Sequence, residues 1–80
     1  MNNRKIYSAH RYQSGCGTHK YHVLFTGDWD MTDLITAIDN GVYDNPTEEE
    51  LQISHYGGRI EDYKVNADGT QEANVMVYYD

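Results

Sequence analysis

One stretch of this chain repeats its apolar residues at helical spacing, through Met31, Leu34, Ile35 and Ile38, and segments with a period of two lie on either side of it. A lone amphipathic helix between strand pairs must bury its stripe on the sheet those strands build, which restricts the fold to α+β. Asp30 stands at the N-cap, Asp33 follows three residues later, and Gly41 lies just past the last turn. Trp29 is placed to pack on Leu34 as a hydrophobic staple. Upstream, residues 5–13 and 19–26 flank Ser14-Gly15-Cys16-Gly17 and predict a hairpin. Its first strand places Ile6, Ser8, His10 and Tyr12 on one face and Tyr7, Ala9 and Arg11 on the other. Downstream, residues 59–66 and 72–79 flank Asp68-Gly69, a strong turn signal for a second hairpin.

Between helix and second hairpin, Thr47-x-x-Glu50 after Pro46 reads as a capping box opening a short helix over residues 48–53, although Leu51 to Tyr56 also fit a strand. The expected architecture is an antiparallel four-stranded sheet packed against one main helix, in the order ββα(α)ββ. Its core draws on Leu34, Ile35, Ile38, Val75 and Val77 with some of Val23, Phe25 and Ile60. Eighty residues suffice for one domain spanning 1–80, because a chain this short buries only roughly 60–65 % of its unfolded surface. A hydrophobic content of 39 % is too high for a disordered polymer. The longest apolar run, Val23-Leu24-Phe25, is far short of the ~20 residues of a membrane helix. No apolar stretch of about 7–15 residues follows Arg4-Lys5, as a secretory signal requires. Cys16 is the single cysteine, so no internal disulfide forms, and the expectation is a cytoplasmic protein.

Charge is unevenly distributed. Residues 1–27 hold Arg4, Lys5, Arg11 and Lys20 and no acid, giving +4, while residues 28–80 hold all 13 acids against Arg59 and Lys64, giving −11; together these make the net −7. Such an acidic balance argues against nucleic acid or an anionic membrane as the direct partner. The carboxylates cluster in Asp28-x-Asp30-x-x-Asp33, Glu48-Glu49-Glu50 and Glu61-Asp62, and clustering adds repulsion that solubility does not require. Asp30, Asp33 and the three glutamates also suit helix N-termini, whereas Asp39, near a C-terminal end, is better explained by an outside partner.

No catalytic arrangement stands out. Cys16-x-x-His19-x-x-His22 with His10 offers metal-ligand atoms, but His19 and His22 are an odd number apart in a strand and project to opposite faces. Glu61 and Asp62, adjacent in a strand, likewise face apart. The expectation is a protein without enzymatic activity, metal or cofactor. Eight tyrosines are heavy usage, and tyrosine is favoured at interfaces. Tyr7, Tyr21, Tyr63 and Tyr78 are explained by strands, whereas Tyr43, beside Asp44, and Tyr56 fall in connections and are expected to touch a partner.

The expected partner is a protein with a basic nucleic-acid-binding groove. The contact residues would be Asp28, Asp30, Asp33, Asp39, Tyr43, Asp44, Glu48, Glu49, Glu50, Tyr56, Glu61 and Asp62. Carboxylates two apart in a strand stand about 6.6 Å apart, close to the roughly 6.8 Å between alternate phosphates of one DNA strand. A rival expectation is an assembly or homodimerisation module pairing through the uncharged segment Ala73 to Tyr79 as an exposed sheet edge. In its size, the −11 charge of residues 28–80, the lone Cys16 and the clusters Asp28-x-Asp30 and Glu48-Glu49-Glu50, the whole chain resembles the small acidic inhibitors of phages and mobile elements, the anti-CRISPR and anti-restriction proteins. That resemblance implies a cytosolic, non-enzymatic protein that blocks the nucleic-acid channel of a CRISPR effector or similar nuclease. Those proteins share no common motif, so it assigns no role to any single residue.

Overall fold

The computed structural model describes residues 4–51 and 57–78. Strands β1 (Lys5–Gly15) and β2 (Thr18–Thr26) form a hairpin, helix α1 spans Met31–Asn40, and β3 (Gly58–Val65) and β4 (Gln71–Tyr78) form a second hairpin. The sheet is antiparallel with strand order β1-β2-β4-β3, so the fold is α+β as the periodicities predict. In β4 the inward residues Ala73, Val75 and Val77 are all essentially inaccessible. They meet Val23 and Phe25 of β2, Ile6 of β1, and the stripe Leu34, Ile35, Ala37 and Ile38 of α1. Each large aliphatic side chain buried here contributes about 1.5–3 kcal/mol. Ile60 packs against this core from β3.

The helix begins and ends where its caps dictate. The Asp30 side chain accepts the Asp33 amide at 2.8 Å, and Gly41, in the left-handed region at φ 72, closes the last turn. Trp29 is half-buried against the core and donates its indole N–H to the Thr26 carbonyl. Beyond the helix the chain returns to β1. The Ile6 amide donates to the Tyr43 carbonyl at 2.7 Å and the Asn45 amide to the Arg4 carbonyl at 2.7 Å, so residues 43–45 cover the first part of the β1 edge.

Four sequence-based expectations are corrected. The Thr47–Glu50 capping box forms, with Thr47 N–H donating to Glu50 and Glu50 N–H to the Thr47 hydroxyl, but residues 48–51 make a turn and not a helix. Residues 52 and 53 of that expected helix lie outside the described residues. β4 is not an edge: β2 and β3 pair on its two sides, so the uncharged strand offered for dimerisation is internal through Tyr78. In β1, register shifts at Tyr7 and Tyr12 break the alternation, so Ile6 and Ala9 share the helix side. In β3 a shift between Glu61 and Lys64, with Asp62 at φ 56, swings Asp62 round to bond Asn74, the residue opposite Glu61. Glu61 and Asp62 therefore do not face apart.

Strand β3 approaches the helix where Gly58 pairs with Val77. A Cβ on Gly58 would collide with the Met76 backbone carbonyl and come within 2.8 Å of Ile35 Cδ1. Because one obstacle is backbone in the central strand, it cannot yield by a rotamer change. Gly58→Ala is expected to destabilise the protein by about 1–3 kcal/mol, as overpacking of a tight core does, with no change in m-value. Urea unfolding checks this, and an unchanged midpoint would refute the close approach.

Candidate interaction surfaces

The α1 side of the molecule collects most of the acids. Asp28 lies in the connection before the helix, Asp30 caps it, Asp33 occupies its first turn and Asp39 its last. Asp44 bridges Lys5 at the β1 edge, and Glu48, Glu49 and Glu50 occupy the turn whose Glu50 carbonyl accepts the Asn40 side chain. All are exposed except Asp33, which is partly covered. Arg4 reaches Asp33 at 2.9 Å while its guanidinium lies over the Trp29 ring at 5.2 Å. Among the described residues, no other acid of this group has a cation within 4.0 Å. Asp30 and Glu50 have structural tasks as cap acceptors, and Asp44 accepts from the Asn45 amide at 3.4 Å. Asp28, Asp39, Glu48 and Glu49 have no such task among the described residues. Tyr43 stands beside Asp44 with 36 % of its surface exposed, and Tyr56 lies outside the described residues.

The structure does not bring Glu61 and Asp62 to this group. They sit on β3, the edge opposite β1, where Glu61 pairs with Arg59 at 3.2 Å. The strand-spacing comparison with phosphates does not apply to the remaining acids, since they lie in a helix, a turn and connections. His19 and His22 do project to opposite faces. His19 approaches the Tyr21 ring edge-on at 6.4 Å, and His22 lies on the face without a helix. Among the described residues no group of three or more His, Cys, Asp or Glu is placed to hold a metal ion, and no helix is long and apolar enough to cross a membrane.

That second face carries a polar network the sequence reading missed. Cross-strand partners share a face, and β2 aligns His22 with Asn74 and Leu24 with Glu72. His22 Nδ1 lies 3.0 Å from Asn74 Oδ1 and Nε2 lies 2.9 Å from Glu72 Oε1. The Asn74 amide nitrogen donates to Asp62 at 2.9 Å, which turns its carbonyl oxygen toward the ring. Both ring nitrogens thus face acceptors, and only the imidazolium donates from both. Hydrogen bonding to Asn74, then to Glu72, raises the His22 pKa above its ordinary 6.5. Glu72 is lowered from 4.5 by hydrogen bonds from Asn66 and His22, with Lys64 Nζ at 3.7 Å adding charge attraction. The signal lay in the outward positions His22, Glu72 and Asn74, but reading it needs the β2–β4 register.

The two shifts set a pH window. A raised histidine pKa stabilises the fold fully below 6.5 and loses that contribution as pH climbs through the folded-state value. A lowered glutamate pKa contributes above 4.5 and is lost as pH falls. Stability from this network therefore peaks between 4.5 and 6.5 and declines above it. Urea midpoints of the parent should drop on the alkaline side more than those of His22→Gln. In an NMR titration the His22 ring should have its midpoint above 6.5; a midpoint at or below that value would refute the network.

Compared with known proteins, the chain matches no family model, and no curated protein or solved structure is significantly similar to it.

Proposed function

We propose that the protein is a non-enzymatic inhibitor whose α1-side carboxylates, edged by Tyr43, dock into the basic groove of a larger nucleic-acid-handling protein and exclude its nucleic acid. A CRISPR effector or similar defence nuclease is the proposed target, in line with the resemblance to small acidic inhibitors. The observation that carries this reading is the lack of internal compensation. Asp28, Asp30, Asp39, Asp44, Glu48, Glu49 and Glu50 are exposed, and among the described residues none has a cation within 4.0 Å. Uncompensated carboxylates repel one another and lower stability, and an array of Arg and Lys in a groove relieves that repulsion on binding. The acids spread over an exposed helix, turn and connection, which suits an extended groove better than a single basic pocket. Glu61 and Asp62, on the opposite edge and engaged with Arg59 and Asn74, are outside the proposed contact.

Binding of this kind is steered by charge, so the association rate depends steeply on salt. The double variant Glu48→Lys with Glu49→Lys is expected to slow association with a susceptible RNA-guided nuclease by about tenfold or more at low salt, leaving dissociation less affected. Glu50 is left intact because it holds the Thr47 cap. Surface plasmon resonance against a panel of purified effectors, alongside DNA-cleavage assays, reads this. A complex insensitive to salt and to both reversals would overturn the docking mode.

A further inference from the structure

The later part of the β1 edge offers a different surface. β1 is an edge strand, and residues 43–45 pair only with its beginning, at Arg4, Lys5 and Ile6. From Ser8 onward, no described residue pairs with its outer side. The two irregularities at Tyr7 and Tyr12 bracket a regular stretch, Ser8 to Arg11, in which each residue keeps a partner in β2. An unpaired edge of this length presents backbone donors and acceptors ready for an added strand. Tyr7 and Tyr12, 52 % and 49 % exposed, stand at the two ends of the opening.

Charge selects the occupant. The β1–β2 hairpin carries Lys5, Arg11 and Lys20 and no acid, and among the described residues none of these three has a carboxylate within 4.0 Å. The other edge, β3, is broken between Glu61 and Lys64, and its two cations are already matched by Arg59–Glu61 and Lys64–Glu72. Pairing two copies edge to edge would set two such cationic hairpins side by side, which repels. We propose that the open edge of β1 between Tyr7 and Tyr12 takes up a short, extended, acidic segment of a partner protein as an added strand, with Arg11, the cation inside the opening, meeting the carboxylates on one side of that strand. The irregularities limit the added strand to a few residues, so specificity lies in the acidic side chains and not in ladder length. This surface is independent of the acidic face, and either reading can fail alone.

The test uses a blocked peptide alternating Asp and Val, its counterpart with Lys in place of Asp, and the full chain. Fluorescence anisotropy should show the Asp peptide binding, weakening as salt rises, and the Lys peptide failing to bind. Hydrogen exchange should slow at those β1 amides between Tyr7 and Gln13 that face away from β2, and remain unchanged in β3. Arg11→Glu, checked by circular dichroism for an intact fold, should weaken the Asp peptide by about tenfold or more. Binding without protection in β1, or equal binding of the Lys peptide, would overturn the proposal. Protection of the same amides without peptide, together with a mass that doubles on concentration, would overturn it in favour of a second copy.

Discussion

The contact between the α1 stripe and the inner face of β4 is the interaction on which the rest of the molecule depends. Leu34, Ile35, Ala37 and Ile38 have no other apolar surface of comparable size to cover, and Ala73, Val75 and Val77 lie at the middle of the sheet. With one helix among the described residues, one face of the sheet is covered and the other is left mainly to polar side chains. Met76, the one buried hydrophobic residue of β4 on that second face, is covered by Arg59, whose guanidinium lies 3.8 Å from its sulfur. The close passage of Gly58 past Ile35 follows from the same contact, since β3 must lie flat against β4 while the helix crosses both.

Chain order turns this layout into electrical polarity. Residues 1–27 hold four basic residues and no acid, and everything that packs after them brings acids. Because β4 inserts between β2 and β3, β1 remains at an edge with its cations, while α1 and the segment behind it gather carboxylates on the helix side. Arg4 is the point where the two regions touch, pairing with Asp33 and resting on Trp29. This one partly buried pair ties the start of β1 to the start of α1, and it does little to neutralise the acids further along.

What could be read from the sequence was whatever local chemistry decides. Asp30 and Gly41 specify the ends of α1 through their own backbone and side-chain bonds, and Asp68-Gly69 specifies its turn. The Thr47–Glu50 box was also legible as a cap, yet a cap satisfies amides without supplying the apolar stripe that would extend a helix beyond it. Strand order was not legible: the uncharged run of β4 reads equally as an edge or a centre, and only its pairing on both sides settles which. The irregularities at Tyr7, Tyr12 and Asp62 were invisible for a related reason. Each is fixed by the partner strand's register, and each reverses the facing of every later residue in its strand. The acid cluster was legible as composition, but its division between the α1 side and β3 follows from topology alone.

The uncovered sheet face bears on where contacts with other molecules belong. It looks like the natural place for a partner, being broad and free of any described helix, but its polar groups already serve one another. His22 is held between Asn74 and Glu72, Asp62 by Asn74, Lys64 by Glu72, and Glu61 by Arg59. A partner docking there would have to replace these bonds before gaining anything, and most of its contact energy would go into that exchange. Asp28, Asp39, Glu48 and Glu49 on the α1 side and Arg11 on β1 have no such partners to give up among the described residues. Uncompensated charge therefore points away from the open face of the sheet, toward the helix side for a basic groove and toward the β1 edge for an acidic strand.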